Sequence, residues 1–167
     1  MKVYRCKFCG YLEVGEIPEE CPMCHAKGSV AFSEYQVPDV SGTKTAENLA
    51  AAFAGESQAN RKYLLWQHIA QVAGDEASAS AFDRPLAEET AHAHAEAAYL
   101  GMFGQAEPVH AENAAGGEQY EEEDMYPEFA RIAREEGFED IAFFFEKTGK
   151  FEGMHKKGYL DAVAALK

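Results

Sequence analysis

No stretch of this chain is apolar for the roughly 20 residues that a bilayer-spanning helix needs, so no membrane crossing is expected. The N-terminus runs directly into a cysteine motif at Cys6, without a hydrophobic leader before it. The expected location is therefore the cytoplasm. Basic residues are scarce: 15 Lys and Arg stand against 29 Asp and Glu, for a net charge of −14. A chain so poor in cations cannot neutralise a phosphate backbone, which excludes nucleic acid as a partner. Cysteine is absent after Cys24, and a disulfide framework is not expected in a reducing compartment. What is present is 167 residues, 47% of them hydrophobic, enough for one sizeable core and a small appendage.

The four cysteines belong to one local device. Cys6-x-x-Cys9 and Cys21-x-x-Cys24 form two turns that can wrap one ion tetrahedrally, with backbone amides bonding to the sulfurs. Gly10 follows the first pair, where a left-handed backbone is wanted, and Pro22 stiffens the second. Thiolates select zinc or iron, and the spacing leaves both open. Tyr4, Cys6, Cys9, Gly10, Tyr11, Pro18, Cys21, Pro22 and Cys24 together resemble rubredoxin, in the shorter form found fused to other redox domains. That resemblance implies one iron cycling between two oxidation states; a zinc ribbon with a purely structural role is the alternative. His25 adjoins Cys24 and is expected to be exposed. Residues 33–43, with Pro38, Gly42 and few large apolar groups, read as a linker. The expected division is a metal domain over 1–36, a linker over 37–44 and a helical domain over 45–167.

From Thr45, the expected helix N-cap, apolar residues recur at helical spacing through Leu49, Ala52, Phe53, Ala59, Tyr63, Trp66 and Ala70. Glu56 is the one acid on that stripe. A second helix is expected from about Glu76 to Phe103, with Pro85 either kinking it or marking the true start of its second half. Glu89 and His92 share its stripe with Phe82, Leu86, Ala93, Leu100 and Phe103, so both are expected to face a core. A break is expected from Gly104 to about Pro108. A third helix, weakened at its start by Gly116 and Gly117, places Glu118 and Glu121 on one face with Met125, Phe129 and Ile132. Pro127 is expected to kink or restart it, with Glu122, Glu123 and Asp124 on the solvated side. The fourth has a stripe of Ile141, Phe144, Phe145, Thr148, Glu152, His155 and Tyr159, and repeats the Glu-x-x-His spacing.

One Glu-x-x-His arises easily by chance. The full set, one glutamate from each of two helices and Glu-x-x-His from each of the others, is the donor set of ferritin-like di-iron and di-manganese carboxylate proteins. Glu56 to Glu89 spans 33 residues and Glu118 to Glu152 spans 34, which suggests a duplicated hairpin forming a four-helix bundle. Without metal, carboxylates crowded in a low dielectric repel one another and destabilise such a bundle.

The segments AFAGESQAN, EETAHAHA, GEQYEEEDMYPEFARIAREEGF and FEGMHKKGYLDAV resemble rubrerythrins, in order and over nearly all of the chain. The rubredoxin-like part comes first, so the chain looks like the variant with reversed domain order. The resemblance implies a mainly α fold, a ferritin-like four-helix bundle preceded by a small rubredoxin-like metal domain. It implies a di-iron ligand set of Glu56, Glu89, His92, Glu118, Glu121, Glu152 and His155, with iron or manganese left open by the residues alone. It further implies that Glu121 and His92 exchange as one iron changes oxidation state, because a ferric ion favours an anionic oxygen. Tyr63 and Tyr126 match tyrosines that hydrogen-bond near the carboxylates. Glu96, His68, His94 and His110 are read as outside the ligand set.

The implied activity is reduction of hydrogen peroxide to water at the di-iron centre, in oxidative-stress defence. Electrons would pass through the iron of the four-cysteine site from an external donor such as an NAD(P)H-linked rubredoxin reductase. A homodimer is expected in which, because the linker is short, one chain's rubredoxin-like domain serves the other chain's centre. The alternatives are a ferritin-like ferroxidase that handles iron, and a non-enzymatic protein with zinc in the cysteine site.

Overall fold

The structure is a computed structural model that describes residues 1–104 and 107–166. It comprises two compact units, Met1–Gly104 and Gln105–Lys167.

The first unit begins with a three-stranded antiparallel sheet. β1 (Val3–Cys6) lies between β2 (Leu12–Val14) and β3 (Phe32–Glu34), with Tyr4 opposite both Glu13 and Glu34. The inward side chains Val3, Cys6, Leu12 and Phe32 are buried. A single helical turn, α1 (Gly28–Ala31), leads into β3. A Cβ on Gly28 would stand 1.6 Å from the Pro18 carbonyl oxygen, so only glycine fits this crossing of backbone over backbone.

Two helices follow as a hairpin. α2 (Lys44–Val72) is capped by Thr43, whose side chain accepts from the Ala46 amide. Thr45, the expected cap, lies inside the first turn. Both threonines suit a cap chemically, and extended backbone at Thr43 decides between them. After a short α3 (Glu76–Ser80), α4 runs over Asp83–Tyr99. Pro85 therefore sits in the first turn of α4, where an amide would lack an intrahelical partner in any case, and starts the helix instead of kinking it. The helix ends about four residues before the expected Phe103. The expected break before Pro108 includes 105 and 106, which lie outside the described residues. α2 and α4 are tied by polar groups: Asn60 donates to the Leu86 carbonyl and to Thr90, each at 3.0 Å, and Gln67 donates to Asp83 at 2.6 Å.

The buried face of α4 is not the one expected. Ala91, Ala95 and Ala98 are buried, while Glu89 and His92 are half-buried on an adjoining face. The alanines pack against the metal module: Ala91 and Ala95 share a cluster with Cys6, Tyr11, Cys21 and Phe32, and Ala98 packs with Val3 and Leu12. The segment read as a linker contributes side chains to the same packing. Tyr35 and Val37 pack with Tyr99 and Phe103 at the end of α4. The module thus lies against α4 of its own chain.

The second unit consists of α5 (Glu107–Tyr120), a π-helical turn (Glu121–Met125), α6 (Tyr126–Glu135) and α7 (Glu139–Ala165). α5 runs straight through Gly116 and Gly117, the pair expected to weaken it. Pro127 stands in the first turn of α6, where the α-helix restarts, as expected, after the π turn. The Tyr126 amide there reaches back to the Glu121 carbonyl. Ala130, Ala133 and Ala142 are buried around Phe145. Gly149 lets α7 approach Tyr126, whose Cβ would be 3.1 Å from a Cβ at that position. Glu122, expected on the wet side, is half-buried against Gly153 and paired with Lys156 at 2.5 Å. On α7 the buried positions are Ala142, Gly149 and Val163, whereas Ile141 and Phe144 are exposed. Among the described residues no helix is long and apolar enough to cross a membrane.

Gly28→Ala forces backbone away from backbone, an overpacking that costs roughly 2 kcal/mol or more. The expected outcome is a module that loses its metal to a chelator at least tenfold faster, measured by visible absorption, with helical circular dichroism retained.

Candidate metal centres

The knuckle after β1 and the second Cys-x-x-Cys turn bring four sulfurs within 4.8 Å of one another. Cys6 Sγ lies 3.6 Å from Cys24 Sγ, and Cys9 Sγ lies 3.6 Å from Cys21 Sγ. A tetrahedral ion with metal–sulfur bonds of about 2.3 Å needs sulfur–sulfur edges of roughly 3.8 Å; the spacing fits such an ion and is far too long for disulfides. Backbone amides point at the sulfurs. Burial raises the Cys6 thiol, but hydrogen bonds from the Cys9 and Phe8 backbone outweigh it and bring the group down to about 7. That is the arrangement a bound thiolate requires. Gly10, at φ +85°, closes the first turn. His25 stays out of the cage and lies 2.7 Å from Glu20, as an exposed pair.

Each helical hairpin holds a carboxylate–imidazole trio of its own. In the first unit Glu56 on α2 meets Glu89 and His92 on α4. His92 Nδ1 lies 3.0 Å from Glu89 and 3.9 Å from Glu56. In the second unit Glu118 on α5 meets Glu152 and His155 on α7. There His155 Nδ1 lies 2.7 Å from Glu152 and 3.6 Å from Glu118. The two trios share composition and geometry: a glutamate from one helix, Glu-x-x-His from the other, and the imidazole closest to the acid one turn before it.

Their electrostatics are those of sites built for cations. Glu56 is pushed up to about 7, chiefly by a hydrogen bond with Glu89 and then by burial. Glu89 is correspondingly lowered by that bond, so the two carboxyls share one proton. Burial and the proximity of Glu152 raise Glu118. Glu118 Oε2 is buried without a hydrogen-bond partner, which costs on the order of 1–3 kcal/mol or more for an acceptor that could ionise. A cation held by Glu118 and Glu152 would satisfy that oxygen, and one held by Glu56 and Glu89 would remove the need for their shared proton. Hard carboxylate oxygens with imidazole suit iron, and soft thiolates suit iron or zinc. The donor sets fit two iron ions in the helical part and one in the cysteine cage.

Other residues fall differently from their reading in sequence. Glu121 stands at the start of the π turn, outside the clustered trio of its hairpin, yet close enough for its charge to act on Glu118 and Tyr126. Tyr126 packs with Phe129 and Phe145, and its phenol is raised by burial and by the charges of Glu121, Glu152 and Glu118. Tyr63 packs between Trp66 and Phe82, each ring centroid 5.8 Å away. Glu96, placed outside the ligand set, has a buried Oε2 without a partner and is raised by burial, with Glu89 and His92 as charged neighbours. Its spacing, one turn beyond His92, was the only available signal. His94 is half-exposed, as expected, and stacks on Tyr11.

The family model described as Rubrerythrin matches residues 47–163, and that of the rubrerythrin rubredoxin-like domain matches residues 4–30. A rubrerythrin of Porphyromonas gingivalis is 37% identical over 139 residues, covering 75% of this chain and 68% of that protein. A rubrerythrin of Nitratidesulfovibrio vulgaris is 36% identical over 139 residues, covering 75% and 72%. A reverse rubrerythrin of Clostridium acetobutylicum is 32% identical over 114 residues, covering 60% and 63%. A thiolate cage preceding two matched carboxylate–histidine hairpins accounts for both family matches and for their order: the chain belongs to the rubrerythrin family, with its rubredoxin-like domain ahead of the ferritin-like helices.

Proposed function

We propose that this protein reduces hydrogen peroxide to water at a non-haem di-iron centre, using electrons relayed through the iron of the cysteine cage. The observation that carries the reading is the coexistence, in one rubrerythrin-family chain, of a thiolate cage with two like-built Glu/Glu/His trios. The reaction consumes two electrons and two protons per peroxide and yields two waters. When bound, the two iron ions supply that electron pair at the O–O bond. Glu56, Glu89, His92, Glu118, Glu152 and His155 hold the ions, in a helical domain over 45–167 that follows a metal domain over 1–36 and a linker over 37–44. With iron bound, Glu121 would exchange with His92, since a ferric ion favours an anionic oxygen over a neutral nitrogen. The π turn that begins at Glu121 interrupts the regular ladder and gives that side chain's backbone the slack to move. Tyr126, kept protonated by burial and by the neighbouring carboxylates, donates a hydrogen bond toward the oxygen chemistry, and Tyr63 is its counterpart on the first hairpin. The active form is a homodimer, and the donor is an external reductant such as an NAD(P)H-linked rubredoxin reductase.

Anaerobic reduction followed by stoichiometric peroxide is expected to restore the visible absorption of the oxidised cysteine-cage iron. Sustained NAD(P)H oxidation with the reductase should follow. Iron uptake without any reductant would point instead to ferroxidase chemistry, and a colourless protein holding only zinc would end the peroxidase reading. Glu121→Ala is expected to keep all its metals by elemental analysis while losing at least tenfold in turnover. Turnover equal to wild type would remove the exchange step.

Metal affinity should depend on pH in a defined direction. Glu56 is raised to about 7, so below that pH it carries a proton that an incoming ion must displace. Affinity of the metal-free helical site is therefore expected to fall by about tenfold per unit as pH drops from 7 to 5. Cobalt(II) titration followed by its absorption bands measures this; an affinity flat across that range would contradict it.

A further inference from the structure

The last residue of α4 grips the metal knuckle. Tyr99 donates its hydroxyl to the Gly10 carbonyl at 2.7 Å, and Arg5 Nε donates to the same phenol oxygen at 3.3 Å. Gly10 directly follows Cys9, and its amide bonds to the Cys6 carbonyl, so the phenol holds the backbone of the thiolate turn itself. A second tie lies five residues earlier, where the His94 ring stacks on Tyr11 with centroids 5.8 Å apart and planes 23° apart.

Alongside these ties α4 offers the module a face of alanine: Ala91, Ala95 and Ala98 are 4%, 8% and 4% exposed. The two fully buried cage cysteines, Cys6 and Cys21, share a packed cluster with Ala91 and Ala95. A larger side chain at either alanine would hold the cage off the helix. Ala91 is the chain neighbour of His92. The way from the cage to an imidazole of the carboxylate site is thus a packed contact and one peptide unit, within an element about 10 Å wide.

We infer that each cysteine cage serves the Glu89–His92 half-site of its own chain, across the width of α4, and that Tyr99 and the alanine face are the positioning residues that fix this juxtaposition. The inference rests on the peroxidase reading for what passes between the sites. With iron bound at both sites, each transfer would oxidise one ferrous ion held by Cys6, Cys9, Cys21 and Cys24 and reduce one ferric ion held by the carboxylate site, with no proton or ligand passing between them. The external donor then re-reduces the cage.

The test pairs two full-length chains, co-expressed with different affinity tags and purified through both. One carries Cys9→Ala and Cys24→Ala; the other carries Glu89→Ala and His92→Ala. No cage in this pair sits on a helix with an intact half-site. After anaerobic reduction, peroxide is expected to restore the cage absorption at least tenfold more slowly than in a doubly tagged wild-type pair. Restoration at the wild-type rate would overturn the inference. A second measurement needs no turnover: amide hydrogen exchange of the zinc-filled protein. Tyr99→Phe and Ala95→Leu are each expected to speed exchange severalfold in residues 4–14, with α5–α7 unchanged. Unchanged exchange in both variants would overturn the positioning role. If the peroxidase reading itself were wrong, the wild-type pair would fail to recover its colour while the exchange result stood.

Discussion

Like charges held close together between helices are the constraint that the helical part of this protein must meet. Glu56 with Glu89, and Glu118 with Glu152, stand within ligand distance of one another inside their hairpins. Two carboxylates so placed cannot both ionise cheaply, and the shared proton of the first pair is the metal-free answer to that conflict. The apolar groups around them do not provide an independent clamp. α2 has no fully buried residue, and Leu64, Leu65, Trp66 and Ile69 are exposed along it. Polar ties from Asn60 and Gln67 hold α2 to the α3–α4 segment. A metal ion that cross-links glutamates from two helices therefore contributes stability as well as chemistry, as expected where binding and folding share one free energy.

The two hairpins meet this constraint with the same trio and then diverge. On the first, the flank of α4 beside the trio is alanine and is covered by the cysteine module. On the second, the neighbouring positions carry Glu122 and Lys156, whose ion pair fills the space over Gly153. The second hairpin alone holds the π turn and, at its start, the additional acid Glu121. The core of donors is common to both. The first trio thus lies on a helix that also carries the cysteine module, and the second beside a π turn with an additional acid.

The donors were legible in the sequence because metal chemistry restricts them to few residue types at rigid spacings. Cys-x-x-Cys twice, and Glu-x-x-His twice, can be read without knowing any packing. The cage cysteines and the two trios assemble as groups in the structure, and the mainly α architecture with a small leading module follows from the same periodicities. What was not legible depends on backbone detail or on contacts distant in sequence. Thr43 and Thr45 are equivalent as caps until the dihedrals are known. Pro127 signals trouble for a helix, but nothing local says that a π turn will precede it. Glu122 reads as one of three consecutive solvated acids, and only the approach of α7 at Gly153 takes it out of water. The alanines of α4 misled more seriously. Apolar stripes are found by their large residues, and here Leu86, Leu100 and Phe103 drew attention from the small ones that are buried.

A short linker reads as a tether that keeps a domain near its point of attachment, at the start of α2. In the folded unit the same segment runs beside the other end of the hairpin, with Tyr35 and Val37 packed against Tyr99 and Phe103 where α4 finishes. β3 and the linker thus lead the chain from the module past the C-terminal end of α4 before α2 begins. Because α2 and α4 form a hairpin, the shortness of the connection brings the module to α4 and not away from it. A bulky face on α4 would spoil the arrangement by lifting the cage off, and a longer linker would weaken it by raising the entropy of docking. Small residues on the helix let the cage approach, and few residues in the linker lower the entropy lost on docking, so the two features favour the same contact.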